Sequence, residues 1–159
     1  MPWMIVGGIV VATAVATQFG ALHGNRPADL GVQDGRLKPP SQTRNSVSSQ
    51  ADMHPAHPQQ VYARIEPLPL KQGDAAASMS ALRAVLAQTP GVTVITERPD
   101  YVYAEAETRW MKFVDDVEFW VNPTKGVIDV RSASRLGRED FGANRTRIDA
   151  IRARYLAHP

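Results

Sequence analysis

The sequence predicts an α+β domain, a curved antiparallel sheet of about five strands with two helices on one face, preceded by an N-terminal transmembrane helix. Three observations carry this expectation. Between residues 92 and 134 four runs rich in Val, Tyr and Phe alternate apolar and polar positions, the period of a half-buried strand. After Asp74 and again after Asp140, apolar residues recur at spacings of three and four, the period of a helix with one buried stripe. Residues 3–22 carry no charge at all, and a helix of about 20 apolar residues crosses a bilayer core. The resulting order, β-α-β-β-β-β-α, suits two layers around a single core.

In chain order, MPWMIVGGIVVATAVATQFGAL (1–22) reads as a single-pass membrane anchor. A cleaved signal peptide is the competing reading: Ala14-Val15-Ala16 offers a small-x-small site, but no Lys or Arg precedes the apolar run. Arg26, Arg36, Lys38 and Arg44 follow the segment, so the positive-inside rule favours a cytoplasmic domain. Residues 23–59, rich in Pro, Gly, Ser and Gln, form a polar extended connection in which Leu30, Val32, Leu37 and Val47 can dock on the core. The α+β domain proper is expected over 60–159.

Its first strand is VYARIEPLPL (61–70), an edge strand stopped by Pro67 and Pro69. Asp74 then caps a helix with Met79, Leu82, Val85 and Leu86 on one side, ended by Pro90-Gly91. Strands follow at 92–97, 101–110, 114–121 and 127–134, the last two joined by a Pro and Gly turn in which Gly126 takes a positive φ. Alternation sends Val102, Ala104, Ala106, Val117, Phe119, Val121, Ile128 and Val130 toward the helices. The other face receives Tyr101, Tyr103, Glu105, Arg109, Glu118, Trp120, Asp129 and Arg131. The final helix shows Phe141, Asn144, Ile148, Ile151 and Tyr155 on one side, with Asp140 at its start.

A net charge of +2 without a dense basic face gives no reason to expect nucleic acid. The acidic 97–118 and the basic 131–154 are expected to neutralise each other across the fold. The absence of Cys excludes disulfides, thiolate nucleophiles and zinc–thiolate sites. Asp52, His54 and His57 have metal-binding residue types, but Pro55 and Pro58 make them read as a polar loop. Ser48 and Ser49 lack the strand–turn–helix setting of a nucleophile. Asp115 and Asp116, adjacent on a strand, point to opposite faces and so do not share a proton. No cofactor is implied, and an enzyme has the least support.

The segments LGVQDGRLKPP, NSVSSQA and DDVEFWVN, then GVIDVRSASRLGREDFGANRTRIDAIRARY, resemble the bacterial and plant domain-of-unknown-function family 1499 over about residues 30–155. Val130, Arg131, Ser132, Ser134, Arg135, Gly137, Asp140, Gly142, Asn144, Arg145 and Arg147 match its C-terminal pattern. Where that family often carries a Cys pair, this chain has Pro40 and Ser46, which implies loss of a disulfide. The resemblance implies a fold and frequent membrane attachment or export, and no reaction. It places the domain outside the cytoplasm, against the charge rule.

Two functional readings follow. Arg131, Ser132, Ser134, Arg135, Asp140, Asn144 and Arg145 gather at a strand-to-helix corner that can hold an anionic small molecule or a lipid head group, because hydroxyls, helix N–H groups and guanidinium forks all favour oxyanions. The alternative at the same place is purely structural, with the arginines paired to Glu118, Asp129 or Asp149. The second reading is an open sheet face with Tyr101, Tyr103, Arg109 and Trp120 that receives a partner protein.

Overall fold

The computed structural model describes Gly20 and residues 22–159. The expected membrane segment 3–22 therefore lies, but for Gly20 and Leu22, outside the described residues; no helix among the described ones is long and apolar enough to cross a membrane. The elements are β1 (Ser46–Ser48), a 3-10 turn (Ala51–Met53), the one-turn helix α1 (Gln60–Ala63), β2 (Leu68–Pro69), α2 (Ala75–Ala87), β3 (Val92–Arg98), β4 (Tyr101–Glu107), β5 (Val114–Asn122), β6 (Val127–Ser134) and α3 (Ala143–Ala157). The fold is α+β, with an open six-stranded antiparallel sheet ordered β1-β6-β5-β4-β3. The outer edge of β6 is shared, since β1 pairs with Arg131, Ser132 and Ala133 while β2 pairs with Val127 and Ile128.

The strand alternation places faces as expected. Val102, Val117, Phe119, Ile128 and Val130 meet Met79, Leu82 and Leu86 of α2 and Ile148, Ile151 and Tyr155 of α3 in one core. Both helices thus cover the same side of the sheet. Asp74 caps α2 by accepting from the Ala77 N–H at 2.9 Å. The β5–β6 hairpin turns on Gly126 at φ +65°, with its N–H donated to the Asn122 carbonyl.

Three local expectations are corrected. Residues 61–70 are not one strand: Gln60–Ala63 forms a helical turn with Val61 78% exposed, Arg64 makes an isolated bridge to Ser48, and Leu68–Pro69 is the part that forms a strand. Three residues of the polar connection, Ser46–Ser48, instead supply an edge strand, which takes Val47 into the main core. Phe141 does not belong to the buried stripe of α3; it precedes the helix at φ +51° and is 93% exposed.

The second face of the sheet is not open. Residues 24–40 lie across it as a strap, and Leu30, Val32 and Leu37 pack on Tyr101, Tyr103 and Trp120. The strap turns at Asp34-Gly35, both at positive φ between the paired Gln33 and Arg36, the geometry of a tight hairpin turn. That turn sits over Trp120, whose ring edge comes to 4.0 Å from where a Gly35 side chain would begin. Trp120 is consequently 8% exposed.

Candidate functional site

The polar residues around the end of β6 divide between the two faces, because alternation sends Ser132 and Ser134 to the helices and Arg131 to the strap. On the helix side Asn144, fully buried in the first turn of α3, is the hub. Its Oδ1 accepts from Ser132 Oγ at 2.5 Å and from Arg147 Nη1 at 3.0 Å. Its Nδ2 donates to Ser134 Oγ, Asp140 Oδ2 and the Asn45 carbonyl. Arg147 closes the group with a 2.6 Å bond to Asp115.

Asp140 lies two residues before Gly142, the residue that formally begins α3, yet its carboxylate accepts from the Gly142 and Asn144 N–H groups. It also accepts from Tyr62 Oη at 2.6 Å. Burial works to raise the Asp140 pKa, but the bonds from Tyr62, Asn144 and the helix N–H groups overcome it and hold the group below its usual value. Burial and the carboxylate together push the Tyr62 hydroxyl up to about 12, so it remains a donor at neutral pH.

On the strap side the charges are paired in two groups. Arg135 donates to Asp116 at 2.7 Å and to Glu105, with Tyr103 Oη and Arg26 completing the group. Burial opposes the Arg135 charge, and the Asp116 and Glu105 carboxylates more than offset it, raising the pKa. The second group is Glu118 with Arg131. Glu118 Oε1 accepts from Tyr101 Oη at 2.8 Å and from the Gly31 N–H of the strap at 2.7 Å. Its Oε2 stands 3.5 Å from Arg131 Nη1, and neither atom has a hydrogen-bond partner among the described residues. Burial lowers the Arg131 pKa, against Glu118, Asp116 and Asp29.

Beside Arg131 lies a cleft of about 200 Å³ between strap and sheet. Arg131, Arg135, Asp116 and Ser134 form its sheet side, and Asn25, Lys38 and Ser41 its strap side. Lys38 is held at 2.6 Å by Asp29. A guanidinium that is 3% exposed and lines the cleft, with one nitrogen held only by an ion pair at 3.5 Å, is a strong donor set for an oxygen acceptor.

The seven corner residues therefore do not converge on one point. Arg131 and Arg135 line the cleft; Ser134 borders it, but its hydroxyl belongs with Ser132, Asp140 and Asn144 to the helix-side network; Arg145 binds the Tyr62 and Arg64 carbonyls at the rim. Of the four residues read as an interaction face, Tyr101, Tyr103 and Trp120 meet under the strap, whereas Arg109 sits in the β4–β5 loop over Trp110. Asp52 of the loop considered for metal binding is engaged by Arg64 and Gln60. Sequence reasoning missed Asn25, Lys38 and Ser41, which lie in an aperiodic segment. The acids alternating on one strand face, Glu105, Asp116, Glu118 and Asp129, were the available signal that this face needed a polar cover.

Residues 36–155 match the family described as Protein of unknown function (DUF1499). The chain belongs to this family. The match spans the sheet, both long helices and the C-terminal half of the strap hairpin. No curated protein and no solved structure matches the chain.

Proposed function

We propose that this chain is a membrane-tethered binding module, anchored through residues 3–22 with its domain outside the cytoplasm, that holds a small oxyanion in the cleft between strap and sheet. The observation that carries the reading is Arg131, a cleft-lining residue buried to 3% exposure, whose Nη1 has no hydrogen-bond partner among the described residues and only the Glu118 carboxylate 3.5 Å away. Arg135 and Lys38, each paired with a carboxylate, also line the cleft, and Ser41 and Asn25 add neutral polar groups. Asp116 and Glu118 nearby keep the site from being a general anion trap, so a phosphate or carboxylate must make geometry-specific bonds to stay. At about 200 Å³ the cleft is below the ~300–1,000 Å³ of pockets for drug-sized ligands, which favours a small head group over a whole lipid.

The test is a melting curve of the detergent-solubilised full chain in phosphate or a small carboxylate, against chloride of equal ionic strength. A ligand that binds the folded state raises Tm by mass action. The expected increment is present in the wild type and in Arg145→Ala, and absent in Arg131→Lys, which keeps the charge facing Glu118 but loses the fork. Equal Tm in all salts overturns the reading.

A further inference from the structure

We infer that the end of the domain carrying the β4–β5 loop is a lipid-contacting surface, which lays the domain against the bilayer in one orientation. The inference rests on the tether proposed above and adds a second, independent membrane contact.

Three segments meet at this end. The loop 108–113 joins β4 to β5, the loop 135–142 leaves β6, and the Arg135 N–H binds the Val114 carbonyl, so the two loops are neighbours. The third is the chain just after the uncharged stretch: His23 Nε2 lies 3.2 Å from Glu107 Oε2, and a Cβ on Gly24 would meet Arg135 and Leu136 at 2.9 and 3.0 Å. The domain thus receives the chain from residues 3–22 at this end.

The same end exposes apolar side chains that have no place in the two cores. Trp110 is 75% exposed, Met111 47% and Leu136 40%, and Phe141 from the same loop 93%. Scattered exposed hydrophobics are ordinary, but Trp110, Met111 and Leu136 come from two loops that the Arg135–Val114 bond holds side by side, with Phe141 further along the second loop, where Asp140 meets Arg44 and Tyr62. Arg109 stacks over Trp110 at 5.1 Å; Lys112, paired with Glu107 at 2.7 Å, and Arg138, beside Glu139, stand in the same two loops. Tryptophan with flanking arginine and lysine is the composition that sits at the headgroup level of a bilayer, the ring at the acyl boundary and the cations at the phosphates. The position of the chain's arrival identifies a lipid surface as the occupant: an apolar segment that starts within a few residues of this patch brings the bilayer to it.

The experiment uses the full chain reconstituted in vesicles of phosphatidylcholine and phosphatidylglycerol, plain or with acyl chains brominated near the headgroup end. The chain has three tryptophans, Trp3, Trp110 and the buried Trp120, so Trp3→Phe leaves one reporter at the patch and one inside the fold. In that variant brominated lipid should quench roughly half of the emission, as expected for one of two indoles at the interface. Trp3→Phe/Trp110→Phe should lose this quenching. A Trp3→Phe chain that sediments with the vesicles but emits equally in plain and brominated lipid overturns the patch and leaves the tether standing. A chain that stays in the supernatant overturns the tether, and the patch with it.

Discussion

The two faces of the sheet are buried by different means. One lies under α2 and α3, whose backbone groups bond within the helices, so that face can be apolar: Val102, Val117, Phe119, Ile128 and Val130 ask nothing but packing. The other lies under an irregular strap, most of whose N–H and C=O groups, the Gln33–Arg36 pair apart, must be met by side chains from outside it. Glu118 takes the Gly31 N–H, Gln50 takes the Leu37 N–H, and Arg131 reaches the Pro39 carbonyl at 3.4 Å. The Gln50 amide in turn binds Asp129, which also receives Ser49 and Asn122. The lesson is that a face covered by coil is made polar by the backbone that covers it, and the charges there need each other.

The largest effect that can break this comparison is on the strap side. Arg135→Met leaves Asp116, 1% exposed, without its cation, and removing one partner of a buried pair costs about 3–5 kcal/mol. That loss matches what Leu82→Ala should cost on the apolar side, about 2–5 kcal/mol, but only the Arg135 loss should shrink when Asp116 is replaced as well. Urea unfolding of the single and double variants decides this; additive losses would mean that the strap face is held by packing alone.

A smaller effect is expected at the corner where the helix side becomes polar. Asn144→Ala takes the acceptor from the buried Ser132 hydroxyl and a donor from Ser134 Oγ and Asp140, with an expected loss of about 1–3 kcal/mol. The loss should be the same in phosphate and in chloride, since Asn144 and Ser132 lie on the opposite face of the sheet from Arg131. An anion-dependent loss would join the two faces into one site.

The smallest is a pH effect at the rim. Asp140 has a folded-state pKa below its ordinary 3.8, so its contribution is complete above that value and is lost as the pH falls through the folded-state pKa. Tyr62→Phe removes one bond to a part-exposed carboxylate and should cost about 1 kcal/mol at neutral pH. The gap between variant and wild type should close as the pH drops below 3.8. A gap that persists in acid would show that Tyr62 acts by packing.

Several site features were legible in the residues and others were not. Alternation separated Asp115 from Asp116, and the structure sends the first to Arg147 and the second to Arg135. It also put Ser132 beside Asn144, because strand and helix periods each name a buried face. Neither period says which arginine meets which acid: pairing depends on the register between strands, such as Glu118 opposite Arg131, and on where a side chain turns after its strand ends, as Arg135 does.

What the sequence determined by itself was whatever repeats locally: the β5–β6 hairpin on Gly126, the Asp74 cap, the apolar stripes of both long helices, and the partition of strands β4 to β6 into two faces. Tertiary structure decided what has no period. Ser46–Ser48 is three residues long and becomes a strand only because the edge of β6 offers it a ladder, while 61–70 alternates like a strand but keeps only Leu68–Pro69 on that edge, its start being wound into the Gln60–Ala63 turn. The cover over Trp120 was settled the same way. Three apolar residues in a polar segment say that the strap can dock but not where, and its place follows from the tyrosines that pack on it and from Glu118, which accepts the Gly31 N–H.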